Sequence, residues 1–211
     1  MIIAVDGPAA AGKGELTRRL AAHFALARLD TGLLYRAVGW RVLAQGKDPA
    51  DEDAALAAAK SLSAAHLDAP ELRSEAAGSA ASKVAAIPAV RAALLDFQRN
   101  FAAHPPTGKK GAVLDGRDIG TVICPDASIK LFLTARPEIR AERRAKELQA
   151  KGAEAIGSAV LRDMMERDAR DRERSVAPLE PAQDAFVLDT SDMDADAVFA
   201  AALDYISRKF V

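Results

Sequence analysis

The stretch Gly7-Pro8-Ala9-Ala10-Ala11-Gly12-Lys13 stands near the amino end of the chain and has the spacing G-x-x-x-x-G-K. It follows a short apolar run at residues 1–5, which indicates a buried strand, and a helical pattern begins near Lys13. Between a strand and a helix, such glycines let the backbone wrap around a phosphate, and the lysine adds a mobile positive charge. The stretch therefore predicts a phosphate-binding loop; the alternative is a glycine-rich turn with an incidental lysine.

The residues after Lys13 depart from the general motif. That motif continues with Ser or Thr, whose hydroxyl ligates Mg²⁺, whereas Gly14 and Glu15 stand here. A carboxylate in the first turn of a helix suits the helix dipole, but it would repel a polyphosphate. We expect Glu15 either to point away from the phosphates or to help hold the metal, and Thr17 to face elsewhere.

Three further apolar runs predict strands, and each ends at a polar residue before a helical pattern. They are residues 112–114, 129–133 and 186–188. Strands that alternate with helices imply βαβ units and a parallel sheet. We therefore expect an α/β fold, organised as one domain over residues 1–211.

Long alanine-rich stretches of the chain predict helices. The clearest lie at residues 16–26, 138–150, 158–174 and 195–210. Between residues 45 and 110 we find no convincing strand, only helical segments interrupted by prolines. That block predicts a helical excursion from the sheet.

Composition excludes several classes of protein. The formal net charge is −1 and aromatic residues make up 5% of the chain, which disfavours a partner of polymeric nucleic acid. One cysteine, Cys124, permits no internal disulfide, and this favours a reducing cytosol. No apolar run reaches the roughly 18 residues of a membrane helix, and the first residues do not resemble a secretory signal. We expect a cytoplasmic protein with no membrane partner.

Arginine-rich segments accompany the loop. Asp115-Gly116-Arg117-Asp118-Ile119-Gly120-Thr121 follows a predicted strand, so it should open into the same crevice as the phosphate loop. Residues 136–146 and 166–174 are also dense in arginine, and Asp30-Thr31-Gly32 leads to Arg36. Solvated salt bridges, a tight turn and an ordinary helix cap are the alternative interpretations. Together with the loop, these segments favour phosphoryl transfer between two anionic substrates.

In their order along the chain, the segments resemble the bacterial cytidylate kinase family of P-loop nucleoside monophosphate kinases. The resemblance rests on residues 7–14, 30–36, 81–91, 115–121, 166–179 and 184–191. It implies a P-loop fold of three layers around a parallel central sheet. It also implies transfer of the ATP γ-phosphoryl group to CMP or dCMP with Mg²⁺.

The resemblance implies a role for each matching residue. The ATP phosphates would be bound by Gly7, Pro8, Ala9, Ala10, Ala11, Gly12, Lys13, Gly14 and Glu15. CMP would be bound by Thr31, Arg36, Ser82, Arg91, Arg117, Asp118, Arg167, Asp171 and Arg174. Of these, the phosphate would be held by Arg36, Arg117 and Arg174, the cytosine by Ser82, Arg91 and Asp118, and the ribose by Arg167 and Asp171. Catalytic cations would be Lys13, Arg117, Arg140, Arg143 and Arg174, with lid arginines drawn from Arg140, Arg143 and Arg144.

The resemblance also implies a division of the domain. The core would cover about 1–36, 111–135 and 184–211, a nucleoside-monophosphate-binding insert about 37–104, and a lid about 145–178. No firm metal ligand is implied, although Glu15 is a candidate, and we expect a monomer. Two departures stand out, because Glu15 replaces the family's threonine and the insert is short between Leu62 and Ala81.

Two alternative functions remain open. One is a kinase for another monophosphate or for a different acceptor. The other is a nucleotide sensor that kept the fold and lost the chemistry through Glu15.

Overall fold

The architecture is a five-stranded, all-parallel sheet flanked by helices, as seen in a computed structural model that describes residues 1–150, 152 and 157–209. The strands are β1 (Ile2–Asp6), β2 (Ala27–Asp30), β3 (Ala112–Gly116), β4 (Ile129–Thr134) and β5 (Phe186–Asp189). Their order across the sheet is β2-β3-β1-β4-β5. The predicted α/β fold with a parallel sheet is confirmed.

The helices connect these strands in chain order. They are α1 (Lys13–His23), α2 (Thr31–Ala44), α3 (Glu52–Lys60), α4 (Glu75–Val84), α5 (Pro88–Ala103), α6 (Pro137–Ala150), α7 (Gly157–Glu173) and α8 (Ala195–Lys209). Short 3-10 turns lie at Ala64–Leu67 and Pro70–Arg73, and a π-helical turn lies at Ile119–Ile123. The predicted helix at residues 195–210 is present to Lys209, and Phe210 lies outside the described residues.

Strand β2 was not predicted from the sequence. It has only four residues, ARLD, and its alternating burial includes an exposed arginine, so no apolar run marks it. It pairs with β3 in parallel register, which places Asp30 beside Asp115. The other four strands lie where the apolar runs predicted them.

Helix α1 starts at the loop lysine and ends earlier than the sequence predicted. The pattern extended to Leu26, but the helix stops at His23, and Ala25 takes a left-handed backbone conformation with φ 55°. The chain can therefore turn directly into β2, and Leu26 packs into the core instead of extending the helix.

Helices cover both faces of the sheet. On one face, α1 and α8 pack on β1 and β4 through buried residues that include Leu16, Leu20, Ala202 and Ile206. On the other face, the π-helical turn and the end of α5 cover Ala4 and Leu114. Because every strand runs in the same direction, all five carboxyl ends lie at one edge, where the loops can form a common site.

The block between residues 45 and 110 is helical, as predicted. Its own core joins α2, α3, α4 and α5 through residues such as Val38, Ala55, Val84 and Leu94. Gly39 lets α2 and α4 approach closely, because a Cβ built there would lie 2.7 Å from the Cβ of Ala80. Among the described residues, no helix is long and apolar enough to cross a membrane.

A methyl group at Gly39 should weaken the fold. We expect Gly39→Ala to lower the free energy of unfolding by about 1–3 kcal/mol, since α2 and α4 would have to separate. Urea denaturation of the variant measures the change. Gly157→Ala is the matched control, because a Cβ built there meets nothing within 4 Å. Equal stabilities for the two variants would contradict the argument.

Candidate active site

A cleft of about 810 Å³ opens at the carboxyl edge of the sheet. Its walls come from the phosphate loop, the start of α2, the helical insert, the loop after β3, and helices α6 and α7. Ten Lys or Arg residues and six Asp or Glu residues line it, so the cleft has an excess of positive charge. Such a surface suits anionic ligands.

The loop between β1 and α1 has the backbone of an anion-binding turn. Positive φ angles occur at Gly7 (140°), Ala10 (58°) and Gly12 (96°). A Cβ at Gly7 would lie 2.0 Å from the carbonyl oxygen of Leu133, so only glycine fits at this point. Lys13 is buried, and its Nζ donates a 2.8 Å hydrogen bond to the carbonyl oxygen of Pro8.

The pKa of the Lys13 amine is well below its ordinary value. Burial, with the nearby Arg117, lowers the pKa of Lys13 to about 7, against the opposing effect of Asp115, Asp30 and Asp6. A polyphosphate beside Nζ would favour the charged form of the lysine again.

Glu15 lies at the border of the cleft and pairs with Arg18. Its two carboxylate oxygens accept hydrogen bonds of 2.6 and 3.1 Å from that guanidinium, and its side chain is 44% exposed. The hydrogen bond from Arg18 lowers the pKa of Glu15, so the carboxylate is ionised. Thr17 is buried, and its hydroxyl lies 3.2 Å from the carbonyl oxygen of Gly14 and 3.3 Å from Asp115, so it is nearer to the cleft residues than its position along the helix predicted.

Two carboxylates at neighbouring strand ends face the loop lysine. Asp30 and Asp115 are register partners in β2 and β3. Burial, and then repulsion from Asp115, raises the pKa of Asp30. No group of three or more His, Cys, Asp or Glu side chains is arranged for a metal within the described part of the chain. Mg²⁺ commonly uses one or two carboxylates together with water and phosphate, so this oxygen pair fits that ion.

The loop after β3 is anchored by Asp6. Its two carboxylate oxygens accept 2.7 Å hydrogen bonds from the backbone N–H groups of Ile119 and Gly120. Burial raises the pKa of Asp6 to about 7, while these two donors lower it. The anchor fixes the start of the π-helical turn, and therefore the adjacent Arg117 and Asp118.

Arg117 and Asp118, in the loop after β3, form ion pairs with residues of two helices that line the cleft. The Nε of Arg117 donates to Asp171 at 2.9 Å, from β3 to α7. Arg91 on α5 pairs with Asp118, and both side chains are about nine-tenths buried. The Nη2 of Arg174 lies 3.7 Å from Asp118 and is buried without a hydrogen-bond partner within the described residues.

Arg36 and Arg167 approach each other over a glycine. A Cβ at Gly78 on α4 would lie 3.1 Å from a guanidinium nitrogen of Arg36 and 3.2 Å from one of Arg167. Burial, together with Arg36 and Arg117, lowers the pKa of Arg167 to about 10. Burial and the charge of Arg144 also lower the pKa of Arg36. Burial is the larger cause for both guanidinium groups, and an anion bound beside them would favour their charged forms.

The hydroxyl groups of Ser82 and Thr31 are oriented by neighbouring groups. Arg170 donates a 3.1 Å hydrogen bond to the Oγ of Ser82, which lines the cleft beside Arg91. Thr31 donates to the carbonyl oxygen of Asp115 at 2.8 Å. This bond ties the start of α2 to the end of β3.

The arginines of α6 have three different environments. Arg140 is 2% exposed, and it bonds to Asp168 at 2.5 Å and to the carbonyl oxygens of Ala9 and Ala135. Arg143 lines the cleft and donates to both oxygens of Thr190. Arg144 also lines it and bonds to Glu75 and Glu147.

Most of the residues predicted for the site line this one cleft. These are Ala9, Ala10, Gly12, Lys13, Gly14, Glu15, Thr31, Arg36, Ser82, Arg91, Arg117, Asp118, Arg143, Arg167, Asp171 and Arg174. Gly7, Pro8, Ala11 and Arg140 are not among the lining residues. Arg140 supports the phosphate loop from behind through Ala9, and its expected contact with phosphates stays a prediction.

Sequence reasoning gave no role to four residues of the site. Asp6 and Asp30 are the last residues of β1 and β2, Asp115 is the last but one of β3, and Arg28 lines the cleft from β2. Acidic residues at strand ends were a visible signal for the first and third of these. Nothing in the sequence marked Arg28, because its strand was not recognised.

Binding of a polyphosphate at the loop should cause Lys13 to take up a proton. With a pKa of about 7 in the free protein, this amine is mostly neutral at pH 8, and the phosphates of ATP would restore its charge. We expect uptake of up to one proton when ATP binds at pH 8 in excess Mg²⁺. Calorimetry in two buffers of different ionisation enthalpy measures the uptake. In Lys13→Arg the charge is permanent, so the uptake should disappear; proton release by the natural protein would contradict the argument.

Comparison with known proteins gives the family. The model of the cytidylate kinase family matches residues 3–208. A cytidylate kinase of Paramagnetospirillum magneticum is 66% identical over 208 residues, covering 99% of this chain and 98% of that protein. Another, from Rhodospirillum rubrum, is 59% identical over 209 residues, with the same coverage.

A solved structure shares the fold at low sequence identity. It is that of an uncharacterized protein from Eubacterium ventriosum, with a TM-score of 0.56, 16% identity and 98% of both chains covered. The sequence matches are more specific, because they span nearly the whole chain at more than half identity. From these matches and the cleft at the end of its parallel sheet, we conclude that the chain belongs to the cytidylate kinase family.

Proposed function

We propose that the protein transfers the γ-phosphoryl group of ATP to CMP or dCMP, giving ADP and CDP or dCDP. The observation that carries this proposal is one cleft that joins Lys13 of the phosphate loop to Arg36, Arg117, Arg167 and Arg174. Two anionic substrates can share a site only if the charge between them is neutralised. The names of the relatives support the same reaction.

ATP binds at the phosphate loop in this proposal. The backbone of residues 7–14 surrounds its phosphates, and Lys13 leaves the carbonyl of Pro8 to contact the terminal ones. Arg143, held by Thr190 next to the loop, adds positive charge on the transferring group. Charge that develops on the phosphoryl oxygens is then stabilised by groups already in position.

The phosphate of CMP binds between Arg36, Arg117 and Arg167, so that Arg167 takes the place that the resemblance implied for Arg174. The lowered pKa values of Arg36 and Arg167 support this role, because burial and neighbouring arginines oppose the charged form of each group and a bound phosphate would favour it. Arginine can bind phosphate through two parallel hydrogen bonds, which fixes the orientation of the acceptor.

The cytosine base binds beside Ser82, Arg91 and Asp118. Cytosine presents an amino donor next to acceptor atoms, so a carboxylate and a guanidinium complement it. Asp118 accepts from the amino group, while Arg91 and Arg174 donate to the acceptors. The Nη2 of Arg174, which is buried and has no hydrogen-bond partner among the described residues, supports this assignment. Asp171, which lies on the same helix as Arg167, contacts the ribose.

A magnesium ion accompanies ATP, and Asp30 and Asp115 are the side chains that would hold it, together with water and the nucleotide's phosphates. Such an ion would supply positive charge to the phosphate oxygens of the nucleotide. Glu15 is less suited to this role, since both of its oxygens are engaged by Arg18.

The reaction needs no general base from the protein. The attacking atom is a phosphate oxygen of CMP, which is already ionised at neutral pH, so positioning and charge stabilisation supply the catalysis. We further propose that the insert, about residues 37–104, and the lid, about residues 145–178, close over both nucleotides and exclude water. Residues 151 and 153–156 of the predicted lid lie outside the described residues. A monomer in the cytoplasm is the expected form of the enzyme.

The sensor alternative is not favoured. It depended on Glu15 disabling the loop, but this side chain pairs with Arg18 at the border of the cleft. The relatives that cover nearly the whole chain are named as kinases.

A coupled assay of ADP release tests the proposed function. We expect ATP-dependent turnover with CMP and dCMP that is well above that with AMP, GMP or UMP. Lys13→Ala should abolish turnover with every acceptor, because it removes the charge at the phosphate loop. Absent turnover with CMP, or equal turnover with all acceptors, would contradict the proposal.

Asp118 should carry the discrimination between bases. In Asp118→Asn, we expect kcat/KM for CMP to fall about 100-fold, as when a charged hydrogen bond at a buried site is lost. Turnover with UMP, whose base has a carbonyl in place of the amino group, should fall less. The ratio of the two values is the measurement, and an unchanged ratio would argue against a contact with the amino group.

A further inference from the structure

Arg28 is a cleft residue that has no role in the phosphoryl transfer proposed above. It lies on β2, two residues before Asp30 and therefore on the same side of the strand, and its side chain is 33% exposed. It lines the cleft together with the phosphate loop. A cation in this place can act on whatever the loop binds.

The guanidinium of Arg28 is held by two neighbours. Its Nε donates to Thr17 Oγ1 at 2.9 Å, and its Nη2 approaches Asp115 Oδ2 at 3.4 Å. Thr17 Oγ1 in turn lies 3.3 Å from the same oxygen of Asp115. Since arginine can only donate, the hydroxyl of Thr17 accepts from it, and its own proton is shared between Asp115 and the carbonyl oxygen of Gly14, which lies 3.2 Å away. Nη1 of Arg28 makes no hydrogen bond within the described residues.

Arg28 lies against the point where the loop departs from the general motif. A Cβ built at Gly14 would be 3.5 Å from Nη2 of Arg28 and 3.9 Å from Asp115 Oδ2. In the general motif, position 14 carries the hydroxyl that faces the metal and the phosphates. The guanidinium therefore flanks the metal side of the donor's phosphate site.

The next residue, Glu15, adds a negative charge to the cleft beside Gly14. Its pKa is lowered chiefly by the hydrogen bond from Arg18, and the charges of Arg19 and Arg28 act in the same direction. Arg18 is 64% exposed, and Arg19 pairs with Asp196. Of these three arginines, Arg28 is the one that lines the cleft. It is therefore placed to act on Glu15 and on a bound phosphate together.

We propose that Arg28 is a binding residue for the phosphates of the donor nucleotide, and that it offsets the repulsion that Glu15 exerts on them. The free Nη1 donates to a phosphate oxygen, while Thr17 and Asp115 hold the rest of the guanidinium in place. The inference rests on the proposed function only in that the loop binds ATP. The proposal predicts that the effect of Arg28 on ATP affinity depends on the charge of Glu15.

Calorimetric titration with ATP in excess Mg²⁺, without an acceptor, tests this interdependence in a double-mutant cycle. The proteins are the natural chain, R28M, E15Q and the double variant. We expect R28M to weaken ATP binding about tenfold, the scale of one charge-assisted hydrogen bond. E15Q should tighten binding, and in the E15Q background R28M should cost about threefold or less, because less repulsion remains to be offset.

Equal losses from R28M in the two backgrounds would overturn the proposal, and so would no loss at all. R208M is the matched control, since Arg208 is 76% exposed on α8 and pairs with Asp204; its ATP affinity should be unchanged. Where R28M does not fold by circular dichroism, R28K takes its place in the cycle. It keeps the charge but loses the fork of donors, so we expect a loss of about threefold that shrinks in the E15Q background.

The two proposals fail in different ways. ATP binding is measured without CMP, so a natural protein that binds ATP but shows additive losses contradicts only the role of Arg28. A natural protein that binds ATP and does not phosphorylate CMP contradicts the proposed function and leaves the role of Arg28 standing.

Discussion

The other features of this molecule depend on an excess of positive charge in the cleft, which the protein does not neutralise by itself. Lys13, Arg36 and Arg167 all have lowered pKa values because burial and neighbouring cations oppose their charged forms. Holding them together costs stability, and anions restore the balance. The free protein therefore has a site that is electrostatically incomplete, which makes binding of two phosphorylated substrates favourable at the place where they react.

The cations are held in place by a frame of carboxylates and close backbone contacts. Asp6 anchors the turn that carries the β3 loop, and Asp171 orients Arg117 from the facing helix. Gly78 leaves the space in which Arg36 and Arg167 meet. These groups fix guanidinium positions before a substrate arrives, so less ordering remains to be achieved on binding.

Parts of this arrangement follow from local sequence. The phosphate loop is recognisable because its glycines, its lysine, the preceding strand and the following helix are all contiguous. Four strands are also recognisable, since buried parallel strands are continuous apolar runs. Strand β2 fails that test because it is short and alternates, and its residues Arg28 and Asp30 were missed with it. Helix α1 was predicted to extend too far, since no glycine or asparagine in Phe24-Ala25-Leu26 indicates the left-handed conformation that Ala25 adopts.

The amino-acid sequence alone determined the loop, the alternation of strands and helices, and the resemblance that identified most residues of the cleft. Tertiary structure decided which side chains share an environment: Asp30 with Asp115, Arg28 with Thr17, and Arg140 beneath the loop while Arg143 and Arg144 line the cleft. The physical reason is that a motif is a property of neighbours along the chain. Burial, hydrogen-bond partners and charge balance depend instead on strand register and helix packing, which join residues as distant as Arg140 and Ala9.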